Sequence, residues 1–381
     1  MATLTSPNIT VAFIEKAASA ITRGDRGIVM LVLRDASITT TPDKRTIRDV
    51  SEVPTTYSAA NQKYIKDALK GYTTSPLKVL VYTMPVKASG DTAEDEAEKY
   101  TAMFAYLETA KFQWLAIPTV DTDEKTSDVV SWVKSQRNNN ANMVKAVLPD
   151  ANSADTEGII GWAVSLYTVS GTTRTEVTPE EACPRIAGLL AGTGSTISAT
   201  YAPLKDFDDV ERLTKDERNT AIAAGKLIAF WDGEKVKLDR AITSLTTTTD
   251  TKGDSFKKIK LVEDMDMIKT DIQKTIEDDY IGKYANSYDN KCLLITAING
   301  YFMRLAKDGI IEAGTCEIDI DDQRAYLISK GKKVVIDGEE IDPNDLTDDQ
   351  VKVANTDSHV FLKSNVTLLD AIEDVSIKIY V

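Results

Sequence analysis

The chain has 381 residues, 42 % of them hydrophobic and 27 % charged. These values exclude bulk disorder or collagen-like structure, and the length suggests two or three domains at roughly 100–200 residues each. The formal charge of −14 would repel phosphate backbones and argues against a nucleic-acid partner. No apolar run approaches the roughly 20 residues of a membrane helix, and the opening MATLTSPNITVAF lacks the basic region and apolar core of a signal peptide.

Ile9, Val11 and Phe13 alternate with Thr10, Ala12 and Ile14 as a short strand after Pro7. Residues 27–33 (GIVMLVL) are an apolar run of strand length, and a polar stretch follows from Thr39 to Pro54. Ser58 is the expected N-cap of a helix carrying Tyr64, Ile65, Ala68 and Leu69, with Gly71 placed to end it. Residues 77–83 (LKVLVYT) give another strand. A helix with Ala97, Tyr100, Phe104 and Leu107 follows, then a strand at 114–117, a helix around 129–137 and a strand at 143–148. Thr178, Pro179 and Glu181 combine an N-cap, a first-turn proline and a capping-box glutamate, opening a helix that runs to Gly192. Thr214 and Glu217 repeat the spacing, and Gly225 closes that helix. Residues 226–231 read as a strand and Asp232-Gly233 as a tight turn. Such alternation predicts parallel strands covered by helices.

The Thr-rich stretch 246–254 is the expected linker. After it, Met265, Ile268, Ile272 and Ile276 form a helical stripe. A second helix carries Leu294, Ile298, Tyr301, Phe302 and Leu305 up to Gly309. The remainder is strand-like, with a hairpin at 336–341. At the C-terminus Val375, Ile377, Ile379 and Val381 alternate with Ser376, Lys378 and Tyr380 in the period of a strand. Such a strand can pair within its own subunit or complete a neighbour's sheet. A chain with a donor at each end can form a mesh.

The search for chemistry returns little. Cys183, Cys292 and Cys316 are odd in number, lack CxxC spacing and read as reduced thiols of a cytosolic protein. The single histidine, His359, cannot make a His-based zinc site, and a Ser-His-Asp triad would depend on it alone. The stretch from Gly188 to Thr196 lacks the lysine of a phosphate loop. As a dinucleotide loop it has Ile197 for the third glycine and follows a helix instead of preceding one, so it is expected as a helix end and turn. Ser195, Ser198 and Ser244 sit in no GxSxG elbow. The acidic groups Glu317, Asp319, Asp321, Asp322 and Asp342, Asn344, Asp345, Asp348, Asp349 depart from the calcium-loop pattern and are expected as solvated loops and helix caps. No catalytic, cofactor-binding or metal residue is assigned, and no cofactor is expected. Lys257, Lys258 and Lys260 form a short basic run, an exposed strand edge or a contact for an acidic partner.

Residues 183–201, CPRIAGLLAGTGSTISATY, resemble the signature of contractile tail sheath proteins of bacteriophages and phage-tail-like bacteriocins. Further similar pieces follow in order: residues 61–71, 77–81, 132–137 (WVKSQR), 240–246 (RAITSLT), 256–260 (FKKIK) and 280–286 (YIGKYAN). The likeness covers essentially the whole chain, and the length resembles the compact sheaths of Gram-positive phages and defective prophages.

The resemblance implies a multidomain protein of α/β and α+β parts. It gives an N-terminal arm (1–20), a small β-rich N-terminal domain (21–88), a central, non-catalytic subtilisin-like α/β domain (89–250), a tube-proximal α+β domain (251–365) and a C-terminal arm (366–381). It implies a structural role and no enzyme activity. Stacked six-fold rings would surround an inner tube and contract from a metastable state to drive it through a target envelope. The arm candidates are Ile9, Val11 and Phe13, and Val375, Ile377, Ile379 and Val381; Lys257, Lys258 and Lys260 would face the tube. Implied partners are further copies of the chain, the inner tube protein, and baseplate and tail-terminator or collar proteins, with no nucleic acid and no membrane insertion. Assembly would take place in the bacterial host cytoplasm, for release in a virion tail or phage-tail-like particle. Two other readings are another self-assembling shell or tube protein and an α/β hydrolase using Ser195 or Ser198 with His359.

Overall fold

The computed structural model describes residues 20–331, 333–336 and 338–380. Ile9, Val11, Phe13 and Val381 lie outside them. The chain divides into a larger unit, Arg23–Thr270 with the chain from Leu368 onward, and a smaller one built on Asp271–Thr367.

The larger unit is organised by β1 (Ile28–Asp35), whose residues are nearly all buried, as expected of a strand covered on both faces. Its alternation divides two cores. Val29, Leu31 and Leu33 face one cluster; Ile28, Met30 and Val32 face the other. The chain continues through β2 (Asp43–Ile47), α1 (Ala59–Leu69), β3 (Lys78–Pro85), α2 (Ala93–Thr109), β4 (Trp114–Ala116), α3 (Thr126–Asn139), β5 (Lys145–Pro149) and β6 (Ile159–Trp162). A hairpin of β7 (Leu166–Ser170) and β8 (Thr173–Val177) leads to α4 (Pro179–Ala191). Then come β9 (Asp209–Val210), α5 (Lys215–Ala223), β10 (Lys226–Leu227), the hairpin β11 (Ala229–Trp231) and β12 (Val236–Leu238), and α6 (Ile259–Thr275). The main sheet runs β10-β6-β5-β4-β1-β3-β2, parallel except for edge strand β2. Side chains of α1 and α4 line one core, and those of α2 and α3 line the other.

Local signals are realised as spaced. Ser58 caps α1, and Thr178–Glu181 and Thr214–Glu217 form complete capping boxes on α4 and α5. Gly192 occupies the C-cap of α4, and a second constraint acts on this glycine pair. A Cβ on Gly188 would lie 2.1 Å from the Ala68 carbonyl oxygen, and one on Gly192 2.2 Å from that of Thr74. Their bareness lets α4 press against α1 and the loop after it.

Three expectations are corrected. The boundary at residue 88 cuts through one sheet, because β1 lies between β3 and β4; residues 21–88 therefore do not form a separate β-rich domain. Residues 226–231 are two strands, since the chain leaves the main sheet at Ile228 to enter a hairpin. The Thr-rich stretch is tied down: Asp155 accepts the Thr246 and Thr247 N–H groups, and Lys252 pairs with buried Glu157, while the unit boundary falls at Thr270/Asp271.

The smaller unit holds α7 (Tyr288–Lys307), β13 (Ile311–Ile318), α8 (Ile320–Lys330), the hairpin β14 (Val334–Ile336) and β15 (Glu339–Ile341), α9 (Asp348–Val353) and β16 (Leu362–Leu368), which continues toward the C-terminus. β13 and β16 make a two-stranded sheet among the described residues. Asp319 caps α8 and Thr347 caps α9, with Asp321, Asp322, Asp348 and Asp349 in the first turns, where the helix dipole favours acids.

Candidate functional site

The C-terminal segment divides sharply. The last described strand ends at Leu368; beyond Asp374 no hydrogen bond or ion pair holds the described chain, and Val375, Ile377 and Ile379 are 71 %, 76 % and 83 % exposed. Before it, the segment 369–374 (LDAIED) is seated on the larger unit by its own acids. Glu373, whose side chain is 4 % exposed, is the centre. One carboxylate oxygen lies 2.6 Å from Thr200 Oγ1 and 3.2 Å from Ser198 Oγ. The other lies 3.0 Å from Lys258 Nζ and 3.7 Å from Arg240. Lys258 also pairs with Asp370, and Arg240 with Asp374 at 2.6 Å. Lys260 donates to the Leu369 carbonyl and is held 2.8 Å from Asp264 in a buried pair.

Three separated stretches build this seat. The turn after α4 delivers Ser198 and Thr200, and Thr200 Oγ1 accepts the Ala241 N–H at 3.0 Å. Residues 241–243 pair antiparallel with 257–259, through Thr243 N–H to Lys257 O (2.8 Å) and Ile259 N–H to Ala241 O (3.2 Å). That ladder sets Arg240 beside Lys258. Burial alone would lower the Lys258 ammonium, but Asp370 and Glu373 hold it above its ordinary value. The bond from Arg240 keeps the Asp374 carboxyl below the usual range. Burial raises Asp264 to about 6 against the opposing pull of Lys260.

A second charged network fixes the start of α6. Lys145, fully buried on β5, lies 2.6 Å from Glu263 and 2.7 Å from Asp266, with Trp114 beneath it at 5.1 Å. Arg137 grips Asp266 with two 2.9 Å bonds. Thus Arg137, Arg240, Lys258 and Lys260, each from a stretch singled out in the sequence, serve internal ion pairs. Lys257 pairs with Asp254 within its own turn.

The remaining candidates are dispersed. His359 is exposed in the smaller unit and packs with Tyr326 and Phe361. Ser198 lies in the larger unit, engaged at Glu373, and Ser244 donates to the Thr156 carbonyl. Among the described residues no group of three His, Cys, Asp or Glu side chains could hold a metal, and no helix is long and apolar enough to cross a membrane. Sequence reasoning missed Glu373 itself; its one signal was the acidic LDAIED preceding an alternating apolar tail.

These features describe a mixed α/β subunit whose distinctive side chains hold its own C-terminal segment and leave an apolar tail uncovered. The chain belongs to the phage tail sheath protein family. Residues 93–244 match the family's central domain and 251–381 its C-terminal domain. The tail sheath protein of Clostridium phage phiCD119 is 35 % identical over 98 % of both chains. A phage-like element PBSX protein, XkdK, of Bacillus subtilis is 29 % identical over 50 % of this chain and 41 % of its own. Among solved structures, the sheath tail protein of Desulfitobacterium hafniense superposes with a TM-score of 0.67 at 19 % identity, covering 82 % of this chain and 94 % of that one. The contracted helical sheath of the anti-feeding prophage gives 0.66 at 14 % identity, over 99 % of both. The protein is a structural subunit of the contractile tail sheath type, a component of a phage tail or phage-like particle.

Proposed function

We propose that the chain polymerises as stacked six-fold rings around an inner tube and contracts from a metastable extended lattice to drive that tube through a target envelope. Its neighbours in the particle would be further copies of itself, the tube protein, and baseplate and terminator or collar proteins, assembled in the host cytoplasm. A contracted sheath among its structural neighbours supports this reading. The parallel sheet with its covering helices supports a subtilisin-like ancestry for the core, a likeness of fold alone.

The observation that carries the mechanism is the exposed tail. Three branched apolar side chains left in water, alternating along a backbone that pairs with no strand among the described residues, have the character of a donor strand without its acceptor. The β13–β16 sheet, two-stranded among the described residues, offers edges on which a neighbour's strand can be laid. Ile9, Val11 and Phe13 are proposed as a second donor. Main-chain ladders of this kind survive while rigid domains swing, and so serve as hinges. The tube-facing charge is proposed for Lys257 alone, whose one ion pair, with Asp254, is solvent-exposed, whereas Lys258 and Lys260 are each held by a buried acid. Deleting residues 375–381 should leave a subunit with unchanged thermal unfolding that forms no sheath in electron micrographs. Normal sheath from that deletion would refute the reading.

A further inference from the structure

An exchanged strand works only if its root is held. A tail free at both its tip and its base would search a large volume, fold back on its own subunit, and lose the ordering entropy of every residue upon pairing. Here the chain between Leu369 and Asp374 is held by hydrogen bonds and ion pairs, while residues 375–380 make none among the described residues. The transition falls within two residues of Glu373, the most enclosed acid of the segment.

We infer that Glu373 is the positioning residue of strand exchange. With Lys258, Arg240, Ser198 and Thr200 it forms a clamp that fixes the base and launch direction of the C-terminal arm. The inference deepens the arm reading above and rests on it. It assigns Lys258 and Arg240 to preparing a contact with another copy of this chain, not to touching the tube. The geometry is specific for such a role. Each carboxylate oxygen of Glu373 has its own set of partners: two hydroxyls on one side and two cations on the other. A clamp with partners on both sides fixes the orientation of the group as well as its location. Asp370 and Asp374 flank it by three residues and one residue, and each takes up a further valence of the same two cations. The Leu369 carbonyl meets Lys260, so the segment is gripped at its start, middle and end. Every one of these contacts is made by the 369–374 backbone or its acids; the apolar tip contributes none of them. Holding is therefore done by the charges of the root, while the exposed apolar surface runs from Ile372 (90 % exposed) through the tip.

The clamp also explains why three stretches distant in sequence carry recognisable residues. The turn at 198–200, the start of 240–246 and Lys258 of 256–260 meet at one carboxylate.

The test uses the full-length chain in five forms: wild type, the arm-tip variant I377E/I379E, the singles E373K and K258E, and the charge-swapped double K258E/E373K. Two quantities are read for each: thermal unfolding of the unassembled subunit, and the protein concentration at which sheath appears by sedimentation and electron microscopy. The tip variant should not assemble. Each single should raise the assembly concentration about tenfold, roughly the cost of ordering one further backbone residue on exchange, with little change in the melting temperature. The double restores the central pair with its signs exchanged but sets the new acid beside Asp370 and the new cation beside Arg240, so it should recover only part of the loss, assembling at about a threefold lower concentration than either single. Singles that assemble at the wild-type concentration, beside a tip variant that does not, would overturn the clamp and leave arm exchange standing. A tip variant that assembles normally would overturn arm exchange itself, and the clamp with it. Singles whose assembly loss follows an equal loss of melting temperature, without rescue in the double, would reduce Glu373 to a structural residue and also overturn the inference.

Discussion

Replacing Lys145 by methionine tests the electrostatic account of the larger unit most directly. The ammonium is wholly buried at the start of β5, between Glu263 and Asp266 and above Trp114. Methionine fills similar volume, so little of the effect comes from packing. What changes is charge: Asp266 keeps Arg137, but Glu263 and Asp266 lose the cation that faces both. Removing one member of a buried ion pair costs about 3–5 kcal/mol where the partner is left uncompensated; with Asp266 still held by Arg137 and Glu263 by Arg26, the cost falls at the lower end. For a unit of this size each kcal/mol moves the melting temperature by roughly 2–4 °C, so K145M should melt about 10 °C lower. Asp266→Ala should cost more, since it strands Arg137 and Lys145 together. Circular dichroism gives both midpoints, and fluorescence of Trp114 reports the site locally. A K145M protein melting within about 2 °C of wild type, or one less stable than D266A, would refute the reasoning.

Two further outcomes follow from packing and protonation. Gly188→Ala forces a methyl to within 2.1 Å of the Ala68 carbonyl oxygen, so α4 must back away from α1; a loss of about 2–3 kcal/mol is expected by chemical denaturation, and a neutral result would mean the helices can part freely. Asp264, with its folded-state value raised to about 6 by burial, should contribute stability that is full below about pH 4, the unfolded value, and is lost as pH rises through 6. The contribution is at most about 3 kcal/mol. Asp264→Asn should flatten that slope; identical slopes in the two proteins would rule the assignment out.

What the sequence disclosed was governed by range. Capping at Ser58, Thr178 and Thr214 is decided within four residues, and each appears as spaced. β1 declared itself because both its faces are buried, whereas edge strand β2 (DKRTI) hid in a polar stretch because one side of it meets water. Residues 226–231 misled because the apolar pattern runs unbroken through Ile228 while the hydrogen-bond partner changes from one sheet to another. The glycines of the α4 stretch were legible as a helix end, but not as a close approach, since Ala68 and Thr74 lie more than a hundred residues away. The clamp was invisible for the same reason: Glu373 is 115 residues from Lys258 and 175 from Ser198. No local pattern says that a basic run and a hydroxyl pair await one glutamate near the chain's end.

The contacts that stop at Asp374 also set a distance. Five residues separate Asp374 from Ile379, about 17 Å of chain at ~3.3 Å apiece if laid out as a strand. If the root stays clamped and the residues up to Ile379 pair with another copy as proposed, the receiving edge would have to stay within that radius of Asp374. Copies joined in this way would pivot about the clamp without drifting apart, so on the proposed reading any shortening of the assembly would proceed by rotation about those points.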